Sequence, residues 1–440
     1  MGKPNKATLH SLFGSSGIRK IVDINLIHLM LEAGFCVGSM YRTAIVGCDH
    51  RISNEALKYA FIAGLLSSGC EAYDAGIAPT PTIAYTAKRF GMGAMITASH
   101  NPPEYNGVKL INPDGSSFNH EQRIRIETAI SGKSYAATSW KDMKKRIEYN
   151  GAIDSHIYRI LDDFNKGSKL KVVVDCRCGA ASAMTPRLLR ELGCEVICLN
   201  CSHNGLFQYL EPTPQSLEQL SKTVLDQKAD LGIANDGDGD RMVVVDDMGR
   251  VLSGDKLMAI FSQRMKIKKL VTPVDTSMLV DELGLEVTRT RVGDTYVSEE
   301  LLKGGDFGGE QSGCWIFPSV SYCPDGIYAS AKIVDIVNGC RLSEIANDIP
   351  YHPIIKGSIA TDGISMERVR DNMERLDHIS METLDGIRLT FEDGWALVRP
   401  SGTEPKTRIT VETKTEGRTK KVYDIIIKAI DSCRINGNDR

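Results

Sequence analysis

One pattern occurs three times in this chain and restricts its fold more than any other feature. An apolar strand is followed by a helix, a glycine just past the helix, and a second apolar strand. The first copy runs from Ala44-Ile-Val-Gly47 to Leu65-Leu-Ser-Ser-Gly-Cys-Glu-Ala72. The second runs from Leu170-Lys-Val-Val-Val-Asp175 to Leu188-Leu-Arg-Glu-Leu-Gly-Cys-Glu-Val196, and the third from Leu270-Val-Thr-Pro273 to Leu279-Val-Asp-Glu-Leu-Gly-Leu-Glu-Val287. Gly69, Gly193 and Gly284 sit where a helix ends in the left-handed conformation. Strands joined through a helix lie parallel in one sheet, with helices packed on its faces. The expected class is therefore α/β: three tandem, similar domains with mixed, largely parallel sheets.

The end of the chain departs from that pattern. Met366 to Leu376 is helix-like, and Gly386–Phe391 and Trp395–Val398 flank Glu392-Asp-Gly394, a hairpin signal. Arg408–Glu412 reads as a strand and Thr419–Cys433 as a helix, which makes a C-terminal α+β domain. The expected domains are residues 1–152, 153–252, 253–351 and 352–440.

Bulk properties exclude several partners. A net charge of −3 over 440 residues argues against binding nucleic acid or an anionic membrane. No apolar run reaches transmembrane length, and Met1-Gly-Lys-Pro-Asn-Lys6 lacks the core of a signal peptide, so a cytoplasmic protein is expected. Its twelve cysteines then read as reduced thiols, mostly small core residues. Cys194, Cys198 and Cys201 have the spacing of some iron–sulfur sites. On a strand, however, Cys194 and Cys198 share a face and Cys201 points the other way, so the three are expected not to converge.

Chemistry concentrates in a few loops. Thr97-Ala-Ser-His-Asn-Pro102 follows the apolar Gly93-Ala-Met-Ile96 and presents the Ser99 hydroxyl as a nucleophile or phosphate carrier, with Lys109 within plausible reach. Taken alone, it fits a capped turn beside a surface lysine equally well. Asp236-Gly-Asp-Gly-Asp240-Arg241 lies between two apolar strands, and carboxylates at alternate positions fold around one hard cation, best Mg²⁺. Arg399-Pro-Ser-Gly-Thr-Glu-Pro-Lys-Thr-Arg408 carries two guanidiniums, the hydroxyls of Ser401 and Thr403 and the amide of Gly402, the parts of a phosphate cradle. Phe13–Arg19 could hold a phosphate, and Glu310 and Ser312 suit sugar hydroxyls. Each of these two loops also fits a structural turn.

In these five motifs, taken in order, the chain resembles the α-D-phosphohexomutases almost end to end: Phe13–Arg19, Thr97–Pro102, Asp236–Arg241, Gly309–Gly313 and Arg399–Pro405. The resemblance implies three similar α/β domains and a distinct fourth around a central cleft. It implies that Ser99 carries a phosphoryl group, with Mg²⁺ bridging Ser99, Asp236, Asp238 and Asp240. Lys109 would be the general acid/base, with His100 and Arg19 also catalytic and Arg19 and Arg241 balancing charge. Arg399, Ser401, Gly402, Thr403 and Arg408 would hold the substrate's own phosphate, and Glu310 and Ser312 its hydroxyls. The substrate would be a hexose phosphate, with a sugar 1,6-bisphosphate as intermediate and activator. Monomer and homodimer remain open.

Two positions depart from the family's usual pattern: Lys20 stands where glycine is common, and Cys48-Asp-His-Arg51 is a loose form of G-x-D-x-R. Neither is expected to touch the chemistry. Gln311 resembles the phosphoglucosamine mutase branch, whereas Cys314-Trp-Ile-Phe-Pro318 lacks the histidine usual in bacterial glucosamine enzymes. Cys323-Pro-Asp-Gly-Ile-Tyr328 resembles archaeal members. Glucosamine phosphate is the expected substrate; glucose or mannose phosphate is the alternative. A phosphomonoesterase and a non-catalytic sugar-phosphate-binding paralogue are the competing functions.

Overall fold

The computed structural model describes residues 12–14, 16–202, 212–360, 364–401 and 406–433. These form two compact units, one from residues 1–254 and 293–346, the other from 255–292 and 347–440. The stretch expected as a third domain thus contributes to both.

Among its described residues the first unit carries two full sheets and the antiparallel strand pair Phe307–Gly309 and Trp315–Ile316. Six strands, β1 (Ile18–Ile21), β2 (Thr43–Cys48), β3 (Glu71–Ile77), β4 (Gly93–Ile96), β5 (Tyr105–Ile111) and β6 (Arg146–Glu148), are ordered β1-β5-β4-β2-β3-β6. β2 runs parallel to β3 and β4, whereas β5 is antiparallel to both of its neighbours. The second sheet, β10-β9-β7-β8, joins β7 (Lys171–Asp175), β8 (Glu195–Leu199), β9 (Leu231–Asn235) and β10 (Met242–Asp246). There β7 is parallel to β8 and β9, and β10 turns back antiparallel.

The repeat behaves as its glycines predict. Gly69, Gly193 and Gly284 all have positive φ, and each is followed by a strand parallel to the one before it. In the third copy the intervening segment Met278–Leu283 is a 3-10 helix, started by Ser277 accepting from Leu279 N–H. Ten residues separate Pro273 from Gly284, against seventeen between Asp175 and Gly193 in the second copy, so less chain is left for the connecting helix.

Burial is most complete where these strands meet their helices. Val46, Ala94, Ile96 and Val108 pack with Leu26, Met30, Leu57 and Phe61 from the helices Ile24–Gly38 and Asn54–Ser67. Three other helices of this unit are tied by one buried histidine. His156 contacts Asp325 Oδ2 at 3.1 Å and Thr82 Oγ1 at 3.1 Å, and its ring stacks on Tyr85. Asp325 also caps the helix Gly326–Val337 by accepting from Ile327 and Tyr328 N–H. A fully bonded buried group of this kind holds its neighbours in register.

The second unit contains the parallel pair Lys269–Pro273 and Glu286–Thr290, and a five-stranded antiparallel sheet. The helices Met366–Glu374 and Glu416–Asp431 lay Val369, Met373, Ile426 and Ile430 against Leu389, Val398, Ile409 and Val411. Trp395 and Leu397 instead pack with Val274. Buried Glu412 accepts from Ser277 Oγ, Met278 N–H and Trp395 Nε1, so its charge is well compensated.

Candidate active site

Ser99 lies on the connection from β4 to β5 with φ of 51°, a left-handed conformation unusual for a side-chain-bearing residue. Neighbouring groups hold it there. Ser99 N–H donates to Thr97 Oγ1 at 2.8 Å, and Thr97 Oγ1 donates to Asp49 Oδ2 at 2.6 Å. Arg51 donates to four carbonyls of the loop: those of Ser99, Asn101, Pro102 and Tyr105, at 2.7–2.8 Å. Its Nε lies 3.2 Å from Asp49 Oδ2, and both side chains are buried. The expectation that Cys48-Asp-His-Arg51 has no bearing on the chemistry is therefore corrected: Arg51 fixes the backbone that presents Ser99. An arginine in an apolar setting needs several acceptors, and that need was the available signal.

The three aspartates sit between β9 and β10, all buried, with carboxylate oxygens within 4.8 Å of one another. Gly239, at φ of 74°, makes the turn that brings alternate carboxylates together. Ser99 Oγ donates to Asp236 Oδ2 at 3.0 Å. Lys109, opposite Met95 across β4 and β5, reaches Asp238 Oδ2 at 2.7 Å and Asp240 Oδ2 at 2.5 Å. Thr80 donates its hydroxyl to Asp238 Oδ2 and its N–H to the Asp238 carbonyl.

Two oxygens are left over. Asp238 Oδ1 and Asp240 Oδ1 are buried and have no hydrogen-bond partner among the described residues. Unsatisfied carboxylate oxygens in a buried triad are strongly disfavoured unless a cation takes them, so the residues present fit a hard divalent ion. The protonation equilibria agree. Burial raises Asp236, and the charges of Asp240 and Asp238 push it further; Asp240 is raised by burial and Asp238. Burial also works against ionised Asp238, but the Lys109 ammonium outweighs it and holds Asp238 below the usual range. Lys109 is raised despite its burial, because Asp238 and Asp240 face it. Lys109 and Arg241 act on Asp236 and Asp240, and Lys109 and Arg19 on Asp238, yet Asp238 Oδ1 and Asp240 Oδ1 still lack the partner that a cation would supply.

The remaining candidates of this unit fall around that centre. His100 Nδ1 lies 3.4 Å from Ser99 Oγ. Burial, then the Arg241 and Arg19 charges, lower its pKa to about 3, so the imidazole is neutral. Arg19 donates to Ser16 Oγ at 2.9 Å and to Asn101 Oδ1 at 3.4 Å, next to the serine loop. Arg241 follows the triad, and an antiparallel bridge to Cys314 brings in the Gly309–Gly313 loop. There Glu310 Oε1 accepts from Gly293 N–H at 2.8 Å, and Ser312 Oγ approaches Glu310 Oε2 at 3.4 Å.

In the second unit, Arg399 and Arg408 stand directly opposite each other on the strands Gly394–Pro400 and Lys406–Thr413. Arg399 has Asp385 Oδ2 at 3.5 Å, and Ser401 N–H donates to the Lys406 carbonyl. Gly402 and Thr403 lie outside the described residues.

As expected, Cys194, Cys198 and Cys201 do not converge: Cys194 donates to Ser168 Oγ, and the aspartate triad is the only close group of metal-type ligands among the described residues. The strand β8 ends at Leu199, and Asn200, with φ of 48°, turns the chain. The Cys201 thiol donates to the Leu199 carbonyl at 3.2 Å and lies 3.8 Å from the Val174 carbonyl. Cys198 is exposed rather than in the core.

Comparison with known proteins agrees with this geometry. The family described as Phosphoglucomutase/phosphomannomutase matches through its alpha/beta/alpha domain I over residues 10–136, domain II over 148–249 and domain III over 253–351. Its C-terminal domain matches residues 364–429. A "Probable phosphoglucosamine mutase" of Methanocella arvoryzae is 46% identical, covering 96% of this chain and 99% of its own. A "Phosphoglucosamine mutase" of Methanococcus maripaludis is 36% identical, covering 93% and 96%. A crystal structure of a phosphoglucomutase/phosphomannomutase family protein from Burkholderia thailandensis superposes with a TM-score of 0.87 at 25% identity, covering 96% of this chain and 97% of that one. Four matched segments in order, together spanning most of the sequence, make this chain a member of the phosphoglucomutase/phosphomannomutase family.

Proposed function

We propose that the chain is a phosphohexomutase that interconverts glucosamine 6-phosphate and glucosamine 1-phosphate, with Ser99 as phosphoryl carrier. The observation that carries this reading is the contact of Ser99 Oγ with a buried aspartate triad that retains two unpartnered oxygens. Ser99, Asp236, Asp238 and Asp240 would hold Mg²⁺, which supplies positive charge that stabilises the phosphoryl group in transfer.

The protein's own groups account for the rest. A sugar hydroxyl attacks the phosphorus on phospho-Ser99, the bond from phosphorus to Ser99 Oγ breaks, and a sugar bisphosphate forms. The hydroxyl's proton must leave and the Ser99 oxygen must gain one. Neutral His100 is an acceptor near that oxygen, and Lys109, held as an ammonium, is a donor. The bisphosphate then presents its other phosphate, and the reverse transfer restores phospho-Ser99. Arg19 and Arg241 offset the charge in motion. Arg399, Ser401, Gly402, Thr403 and Arg408 grip the phosphate that is not transferred, and Glu310 and Ser312 orient the ring hydroxyls. A sugar 1,6-bisphosphate activator would re-phosphorylate Ser99 after accidental hydrolysis.

Glucosamine is favoured by Gln311 in the sugar loop and by the names of the relatives. A cytoplasmic setting is supported by twelve cysteines that are all free thiols, and no helix among the described residues is long and apolar enough to cross a membrane.

The test combines mass spectrometry with parallel assays. Incubation with sugar bisphosphate should add one phosphoryl group, mapping to Ser99. Glucosamine 6-phosphate should then give a higher kcat/KM than glucose 1-phosphate or mannose 1-phosphate. A phosphoryl group on Ser99 with a preference for glucose or mannose would overturn the sugar assignment alone. Full activity without phosphorylation of Ser99 would overturn the mechanism.

A further inference from the structure

The three aspartates differ in what holds each of their oxygens. Asp236 accepts Ser99 Oγ on Oδ2 at 3.0 Å and Arg241 N–H on Oδ1 at 3.1 Å, so both of its oxygens have protein donors. Asp240 has the Lys109 ammonium on Oδ2 and no partner on Oδ1 among the described residues. Asp238 is the most lopsided. Its Oδ2 takes two donors, Lys109 Nζ at 2.7 Å and Thr80 Oγ1 at 2.5 Å, while its buried Oδ1 takes none among the described residues.

Those two donors are not equivalent. Lys109 is a flexible stem whose ammonium is shared with Asp240, so it does not fix the direction of one carboxylate. Thr80 gives its hydroxyl to Asp238, from a β-branched side chain that is stiff at χ1. Its backbone is equally constrained. Thr80 opens the helix Thr80–Ala87, every residue of which is buried, and its N–H donates to the Asp238 carbonyl at 2.8 Å. Two residues on, Thr82 Oγ1 lies 3.1 Å from Nδ1 of the buried His156. One residue before, Pro79 packs so close to the Asp236–Arg241 loop that a Cβ on Gly239 would stand 3.2 Å from its own Cβ. A rigid helix start thus grips one aspartate through both main chain and side chain.

We infer, on the metal reading above, that Thr80 is a positioning residue of the cation site: its hydroxyl pins Asp238 Oδ2 and so keeps Oδ1 as the oxygen offered to a divalent cation. The terminal torsion of an aspartate is broad and nearly two-fold. Without the threonine, the carboxylate can rotate and present either oxygen to the lysine. A cation must then order the carboxylate as well as bind it, and its affinity falls. The main-chain bond from Thr80 to the Asp238 carbonyl does not depend on the side chain, so removing the hydroxyl changes carboxylate direction without releasing the loop.

Titrating Mg²⁺ into the metal-stripped full chain without substrate, with the rise in Tm as readout, tests this role. Thr80→Val keeps the shape and loses the hydroxyl, and should weaken Mg²⁺ binding by about 10–100-fold, the range for losing a group that orients a metal ligand. Thr80→Ser restores the hydroxyl and should stay within about threefold of wild type. In EDTA the Tm of Thr80→Val should lie near that of wild type, because Lys109 still bonds Asp238 Oδ2. A lowered Tm with unchanged Mg²⁺ affinity would make Thr80 a support of the fold only and would overturn the inference, as would Thr80→Ser binding as weakly as Thr80→Val. If Thr80→Val does not fold, Thr80→Ser and Thr80→Ala, which differ by one oxygen, decide the matter, and equal Mg²⁺ affinity in the two overturns the role. A wild-type chain whose Tm does not respond to Mg²⁺ would overturn the metal site together with the role of Thr80. Wild-type affinity in Thr80→Val would overturn the role of Thr80 alone.

Discussion

Asp236, Asp238 and Asp240 are buried beside the Lys109 ammonium, whereas Arg399 and Arg408 face each other across two strands with Arg408 exposed. Both arrangements concentrate like charge, and both invite an ion of opposite sign. They differ in how they are held. The aspartates sit in a loop between two strands, packed against Lys109, Thr80 and Ser99 before any ligand arrives. The arginines rest on strand ends, where like charges directly opposite are destabilising unless an anion offsets them, as Asp385 does beside Arg399 at 3.5 Å. On the proposed mechanism, the transfer centre is held in place for chemistry, while the arginine pair accepts and releases the phosphate that is not transferred. Changes in the first should lower kcat, and changes in the second should raise KM.

Ser99→Ala should have the largest effect. It removes the carrier but leaves the sugar-phosphate contacts intact, so kcat should fall by about 10³-fold or more with binding little changed. Turnover within tenfold of wild type, with bisphosphate supplied, would break the assignment of the first region to chemistry.

Lys109→Met strips the ammonium that faces Asp238 and Asp240. Removing one partner from a buried charge cluster costs about 3–5 kcal/mol, which thermal unfolding in EDTA should show as a lowered Tm. Mg²⁺ should recover a larger share of that loss in the variant than it adds to wild type. Identical Tm values for variant and wild type in EDTA would mean that the triad is not under charge stress.

Arg408→Ala should raise KM for every hexose phosphate by a similar factor, about ten- to hundredfold, the range for losing a charge-assisted hydrogen bond of about 1.5–3 kcal/mol. Loss confined to one sugar would place Arg408 at the ring and blur the division between the regions.

The smallest effect expected is a pH contrast between the two units, read by hydrogen exchange on each. His100 in the first unit has its folded pKa lowered to about 3 from 6.5, so the unfolded chain binds the proton more readily. Its contribution is present above pH 6.5 and is lost as pH falls toward 3. Asp255 in the second unit is shifted the other way, to about 6 from 3.8. Burial is the main cause, with Glu412 and Asp275 adding to it against the Ser277 N–H and Lys356. Its contribution is present below pH 3.8 and is lost as pH rises through about 6. His100→Gln should therefore reduce the acid sensitivity of the first unit, and Asp255→Asn should protect the second above pH 6. The same pH trend in both units, unaltered by either variant, would refute the contrast.

Much of this protein was legible locally. Gly69, Gly193 and Gly284 each end a helical segment because left-handed backbone is easiest for glycine, and parallel strands follow from that wherever a helix intervenes. Asp236, Asp238 and Asp240 converge because alternate residues around Gly237 and Gly239 share one turn. The expected hairpin also stands, with Phe391 paired to Gly394.

Other features came only from packing between distant segments. Arg51 was set aside in sequence, yet it holds the Ser99 carbonyl 48 positions away. Thr80 bonds to Asp238 across 158 residues and Lys109 across 129, and no spacing rule connects such positions. Cys198 was expected in the core, yet it is exposed on a strand that stops at Leu199, where Asn200 turns the chain. Sequence determined which residue types could carry phosphate and metal chemistry, and where the chain would bend at its glycines. Tertiary structure decided which buried charge met which partner, because a buried polar group is satisfied by whatever donor or acceptor the fold brings to it, however far away in the chain.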